Sequence, residues 1–209
     1  EWCTVDHTTG DVYVSLTNNT NRGVGSNPPV DAANPRVNNA FGQILRLRET
    51  GSDPAATSFS WTIAVFGAPA TNAANNISQL TADNDFASPD GLWSDSRGLL
   101  WIQTDNPHGN EMGLLCNNQM LVTIPPADLN TPPVIKRFLV GPTQCEITGI
   151  DITPDGKAMF LNIQHPGEDT TVANLASPSS SWPYDRNDAT KSGTKGARPR
   201  SATLVITRK

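Results

Sequence analysis

Glu1, Asp90 and Glu146 each open a segment with the same grammar. A carboxylate is followed five residues later by an Asp (Asp6, Asp95, Asp151), then three to five residues on by a Gly (Gly10, Gly98, Gly156), then by an apolar run. If the three segments repeat around one axis, the three leading carboxylates face each other. Acids gathered without an interleaved Lys or Arg repel strongly at reduced dielectric unless a cation neutralises them. Ca²⁺, which accepts roughly 6–8 oxygens in loose geometry, is the natural partner. The other reading of these acids places them at the edges of structural units, where they accept backbone amide bonds that fix one unit to the next. Asn18, Asp105 and Gln164 occupy a corresponding place one strand further in, and their side-chain oxygens could complete a coordination sphere or contact a substrate.

Other chemistry-bearing residues point less sharply. Asp83, Asn84 and Asp85 in TADNDFASPDG could form a calcium loop, but their spacing does not match an EF-hand, and an Asx-turn is the simpler reading. Asp6, Asp95 and Asp151 read as turn residues. His7, His108 and His165 have no zinc-motif spacing, and only His165, in QHPGE, sits where it could matter. There is no GxSxG elbow, Walker loop or GxGxxG, so serine-hydrolase, nucleoside-triphosphatase and dinucleotide chemistry lack a carrier. Cys3, Cys116 and Cys145 lack CxxC spacing, which argues against a zinc ribbon or iron–sulfur centre. They are read as mostly buried thiols, with a Cys116–Cys145 disulfide as the alternative.

The elements that must position these residues are strands. Gly (16) and Pro (17) together make up about a sixth of the 209 residues and only 17% are charged, so turns are dense and charged helix surfaces scarce. The runs 12–16, 99–103 and 158–163 are short, apolar and rich in β-branched and aromatic residues, and each follows an Asp/Gly turn, as expected for hairpins. Further strands are predicted at 43–48 and 59–66 after the first hairpin, at 120–124 and 134–140 after the second, and at 202–207 after the third. Repeated four-stranded units are the blades of a β-propeller.

The predicted fold is therefore all-β, about three blades of a ring of roughly six, the third lacking its last strand; a Greek-key sandwich is the alternative. Residues 1–209 are read as the C-terminal part of one propeller domain, with long loops at 19–40 and 166–199. An open partial ring exposes strand edges, which predicts self-association or a partner chain. A net charge of −5, with basic residues concentrated only near the C-terminus, argues against nucleic acid as a partner. No window approaches the roughly 18 apolar residues that cross a bilayer, so no membrane role is expected.

Five stretches, EWCTVDHTTGDVYVSLTNN, NNAFGQILRLRE, DNDFASPDGLWSDSRGLLWIQTD, CEITGIDITPDGKAMFLNIQHPGE and RPRSATLVITRK, resemble in order the C-terminal part of PhoX-type secreted alkaline phosphatases. The resemblance covers nearly the whole chain. It implies a propeller exported through the twin-arginine route to a periplasmic or extracellular location. It also implies a cluster of Ca²⁺ and Fe³⁺ that hydrolyses phosphate monoesters, with Glu1, Asp90 and Glu146 at the family's acidic metal-holding positions. The family's Arg two residues before the first Glu, its iron-ligating Cys and a further Glu match nothing in this sequence, so the chain alone is expected to be a poor phosphatase. The alternatives are a calcium-dependent propeller hydrolase of the lactonase type and a non-catalytic propeller module that binds a protein or glycan.

Overall fold

The computed structural model describes residues 1–107, 116–184 and 198–207. Eleven strands carry these residues: β1 Cys3–Val5, β2 Val12–Leu16, β3 Gln43–Glu49, β4 Phe59–Phe66, β5 Pro89–Ser94, β6 Leu100–Thr104, β7 Gln119–Thr123, β8 Ile135–Val140, β9 Glu146–Ile152, β10 Ala158–Gln164 and β11 Ala202–Thr207. They form three antiparallel sheets in the orders β1-β2-β3-β4, β5-β6-β7-β8 and β9-β10-β11. Every sheet is a meander in which neighbours in sequence are neighbours in space. A Greek-key sandwich would need a strand that leaves and returns, and none of the described strands does. The architecture is a β-propeller fragment of three blades, the third with three strands.

The meander follows from the turns. In the first blade, Asp6 accepts the Thr8 amide at 2.9 Å and the Thr8 and Thr9 hydroxyls at 2.7 Å each. In the second, Asp95 accepts the amides of Arg97 (2.9 Å) and Leu99 (3.1 Å) and the Trp101 indole at 3.2 Å. The third turn departs from the sequence expectation. Asp151 lies within β9, exposed, and among the described residues its carboxylate accepts only the next amide, from Ile152, at 2.8 Å. The turn position belongs to Thr153. Its hydroxyl donates to Asp155 at 2.7 Å, and its amide bonds the Ala158 carbonyl at 2.9 Å, as Asp6 bonds Asp11 (2.8 Å) and Asp95 bonds Leu99 (3.0 Å). β5 and β9 each carry a one-residue slip against their partner strands, at Pro89–Leu92 and at Gly149, so the slip alone does not set where the turn falls.

Between the first and second sheets lie Tyr13, Ile44, Val65, Phe86, Leu92, Ile102 and Leu121; between the second and third lie Trp101, Met120, Cys145, Ile147, Leu161 and Ile163. Burying each such side chain contributes about 1.5–3 kcal/mol, so each blade is held by the next. Hydrogen bonds add register between blades: Ser94 amide to Thr4 Oγ1 at 3.1 Å, Ser15 Oγ to the Asp90 carbonyl at 2.6 Å, and Gln103 Nε2 to the Gly149 carbonyl at 2.9 Å. Gln103 reaches across because position 91 is glycine. A Cβ there would sit 2.4 Å from Gln103 Oε1.

The long segment 19–40 folds on itself through Gly23–Pro28 and Asn38–Arg22 backbone bonds of 2.9 Å each. It is anchored by buried Arg36, whose guanidinium donates to the carbonyls of Gly67 at 2.7 Å and Gly42. Of the second long segment, 166–184 and 198–199 are described; they contain one 3₁₀ turn, Val172–Asn174, and Trp182 packed on the second core. The disulfide alternative is overturned, because all three cysteines are free thiols. Cys145 is buried and Cys116 half-buried, but Cys3 is exposed, against the expectation that the thiols are mostly buried. Burial pushes the Cys145 thiol up to about 12, so it behaves as a small hydrophobe.

Candidate functional site

The innermost strands β1, β5 and β9 pack in succession, which brings their leading ends together. Glu1 precedes β1, Asp90 is the second residue of β5 and Glu146 the first of β9. Asp105 directly follows β6, where its amide donates to the Ser88 carbonyl at 3.1 Å. His165 directly follows β10, with its amide on Ser201 Oγ at 3.0 Å.

Carboxylate oxygens of Asp105 and Glu146 and a ring nitrogen of His165 lie within 4.8 Å of one another. The His165 Nε2 to Glu146 Oε2 distance is 3.4 Å, and His165 Nδ1 stands 3.6 Å from Glu168 Oε2. His165 has φ of 36°, in the left-handed region that side chains with a Cβ seldom adopt. A residue held there is a mark of an over-determined, often functional position.

The fields of these groups overlap. Burial raises the affinity of Asp90 for a proton, and the charges of Glu1 and Asp105 raise it further. Asp105 is raised by burial, with Glu168 and Glu1 adding to the effect and His165 opposing it. Glu146, 8% exposed, is raised by burial and then by Asp105 and Asp90, again against His165. Of the three carboxylates read from the sequence, Glu146 joins Asp105 and His165 in one cluster, while Asp90 and Glu1 reach that group through their charges rather than as part of it. Its donor set, several oxygens and one imidazole with no Lys or Arg among them, is the kind that a cation relieves.

The remaining sequence candidates are placed differently. Asn18, half-buried after β2, donates to Ser88 Oγ at 3.4 Å, so Ser88 joins the ends of the first two blades under the cluster. Gln164 stands opposite Glu146 in register and lines an exposed groove with Thr148, Asn162 and Thr203 on the uncovered face of the third sheet. Asn84 closes a local turn by accepting the amide of Thr81, three residues earlier, at 2.7 Å, which is not the Asx-turn expected, and Asp85 pairs with Arg137 at 2.8 Å. His7 is exposed in the first turn, and His108 lies outside the described residues.

One positioning residue escaped sequence reasoning. Buried Asn118 accepts from Thr104 Oγ1 and the Asn106 amide at 2.7 Å each and donates to the Cys145 carbonyl at 2.8 Å. It therefore fixes the residues on either side of Asp105 to the residue before Glu146. Nothing in its local sequence, NNQM, distinguishes it from a loop asparagine.

Residues 1–167 match the sequence profile of the family Alkaline phosphatase PhoX. The chain belongs to the PhoX family. The matched span contains Glu1, Asp90, Asp105, Glu146 and His165, and ends two residues beyond the last. The solved structure of Pseudomonas fluorescens PhoX in complex with vanadate, a transition state analogue, superposes with a TM-score of 0.82 at 38% identity. That match covers 100% of this chain and 33% of the other, so the chain spans about a third of that PhoX relative's length. No curated protein matches it.

Proposed function

We propose that this chain is the part of a metal-dependent phosphomonoesterase that supplies carboxylates to its metal centre. The observation that carries the reading is the convergence of Asp90, Asp105 and Glu146, each with its proton affinity raised by burial and by its neighbours, at the ends of successive blades. Membership of the PhoX family supplies the reaction class, and the vanadate bound to the Pseudomonas relative stands for a phosphoryl group in transit.

The residues fit a resident cation. Glu1, Asp90, Asp105 and Glu146 would hold hard cations such as Ca²⁺, and His165 adds a nitrogen suited to iron. Bound there, the metal would supply a Lewis acid that draws charge from the phosphoryl oxygens. The chain's own part is to fix and desolvate this constellation: Ser88 and Asn118 hold the strand ends, and Glu168 places a negative charge beside His165. In the hydrolysis, the oxygen of a water forms the new bond to phosphorus, the ester P–O bond breaks, and the alcohol leaves with a proton. The parent protein is exported and acts outside the cytoplasm, a reading supported by the resemblance to secreted phosphatases.

The test combines elemental analysis with p-nitrophenyl phosphate hydrolysis, on this chain and on the parent protein. Calcium is expected in both, with iron in the parent. Glu146→Gln should lower metal content and cut turnover by about a hundredfold, the loss typical when a metal's surroundings are disturbed. Turnover untouched by chelators, or hydrolysis of lactones in place of phosphate esters, would overturn the reading.

A further inference from the structure

On the side of His165 away from the blade cores lies a second cavity, of about 220 Å³, lined by His165, Glu168, Thr170, Leu175, Arg198 and Pro199, among others. It shares His165 and Glu168 with the acidic cluster, so whatever fills it lies beside the cluster. Its walls are of two kinds. Leu175, 38% exposed, and the prolines give apolar surface, while Thr170 and Ser201 give hydroxyls. Glu168 is turned to His165 Nδ1 at 3.6 Å. Arg198 has no hydrogen bond or ion pair among the described residues, and it is the one Lys or Arg among the described residues that line the cavity.

We propose that this cavity receives the alcohol part of the phosphate ester, and that Arg198 selects alcohols carrying a second anionic group; the proposal rests on the phosphatase reading of the neighbouring cluster. The size favours short alcohols. Pockets for drug-sized ligands run to roughly 300–1,000 Å³, so a phosphorylated hydroxy acid of a few carbons fits where a nucleoside does not. The charge favours an anion. A carboxylate meets the Arg198 fork in a bidentate pair, whereas Glu168 and the acidic cluster on the His165 side of the cavity repel it, which directs the anionic end of the alcohol to Arg198. The substrate class is thus a small phosphate monoester with a carboxylate or second phosphate on its alcohol side.

The test is calorimetric binding of two non-hydrolysable probes, methylphosphonate and phosphonoacetate, to the full chain in calcium. Phosphonoacetate should bind about tenfold more tightly, the factor expected of one charge-assisted contact. Arg198→Gln should erase that difference while leaving methylphosphonate within about twofold, and Arg198→Lys should restore part of it. Equal affinities in the unmodified chain would overturn the proposal. So would an Arg198→Gln loss shared equally by both probes, which would place Arg198 on the phosphoryl group itself, or binding of neither probe. Phosphoester turnover is measured separately: Arg198-dependent discrimination without turnover in the parent protein would sink the phosphatase reading and leave the anion-selective cavity.

Discussion

Asp95 illustrates how much one turn residue can carry. Its carboxylate, almost wholly buried, takes bonds from two amides, an indole and the Arg97 guanidinium. Burial alone would raise its proton affinity, but these bonds outweigh burial and hold it below the ordinary aspartate value of 3.8. The unfolded chain therefore takes up the proton first. The stability from Asp95 is complete above that value and drains away as pH falls below it. Asp95→Asn should cost about 1–3 kcal/mol in urea denaturation at pH 7, and the gap to the unmodified chain should narrow at pH 3. An equal gap at both values would show that charge is not the cause. Asp6 and Asp95 were legible because an Asp ahead of a Gly signals a turn whatever surrounds it. Asp151 was misread because the five-residue spacing that fits the first two blades falls two residues short of the third turn, at Thr153. His165 was visible only as an oddity in QHPGE, since its weight comes from Glu146 and Asp105, distant in sequence.

At the scale of elements, the strands followed from apolar runs between turns, with ends within about two residues. The polar clamps that join one blade to the next, beside the apolar cores between them, did not, because buried Asp and Arg look like surface charges in sequence. Asp11, fully buried, binds both Arg46 and Arg48 from β3. Those arginines continue to the carbonyls of Pro126 at 2.6 Å and Ala127 at 3.0 Å in the connection between β7 and β8. The clamp thus ties the first blade to the second at the end away from the acidic cluster. Asp11→Ala leaves the Arg46 charge, 3% exposed, without its counter-ion and should cost about 3–5 kcal/mol by chemical denaturation. A loss below about 1 kcal/mol would show that water or another acid takes over.

The molecule as a whole presents an uncovered apolar face. Across the first sheet run two rows of partners, Cys3–Val14–Leu45–Ile63 and Val5–Val12–Leu47–Trp61. Val5 is 45% and Trp61 41% exposed, and on the third sheet Phe160 and Val205 pair on a face equally open. Contiguous exposed apolar surface of this kind drives association. The isolated chain should therefore sediment as more than a monomer at high concentration, and Leu47→Lys with Trp61→Lys should return it to a monomer. Unchanged sedimentation would mean that another surface is responsible. The meander order of the sheets also governs how the chain acquires its shape. The second sheet and the hairpins β1–β2, β3–β4 and β9–β10 form between strands close in sequence, at less loop-closure cost than the Ser15–Asp90 and Thr4–Ser94 bonds, which close 75 and 90 residues. The blades are therefore early kinetic units and the acidic centre a late one: Asp105 and Glu146, neighbours in the finished cluster, belong to separate folding events until the blades dock.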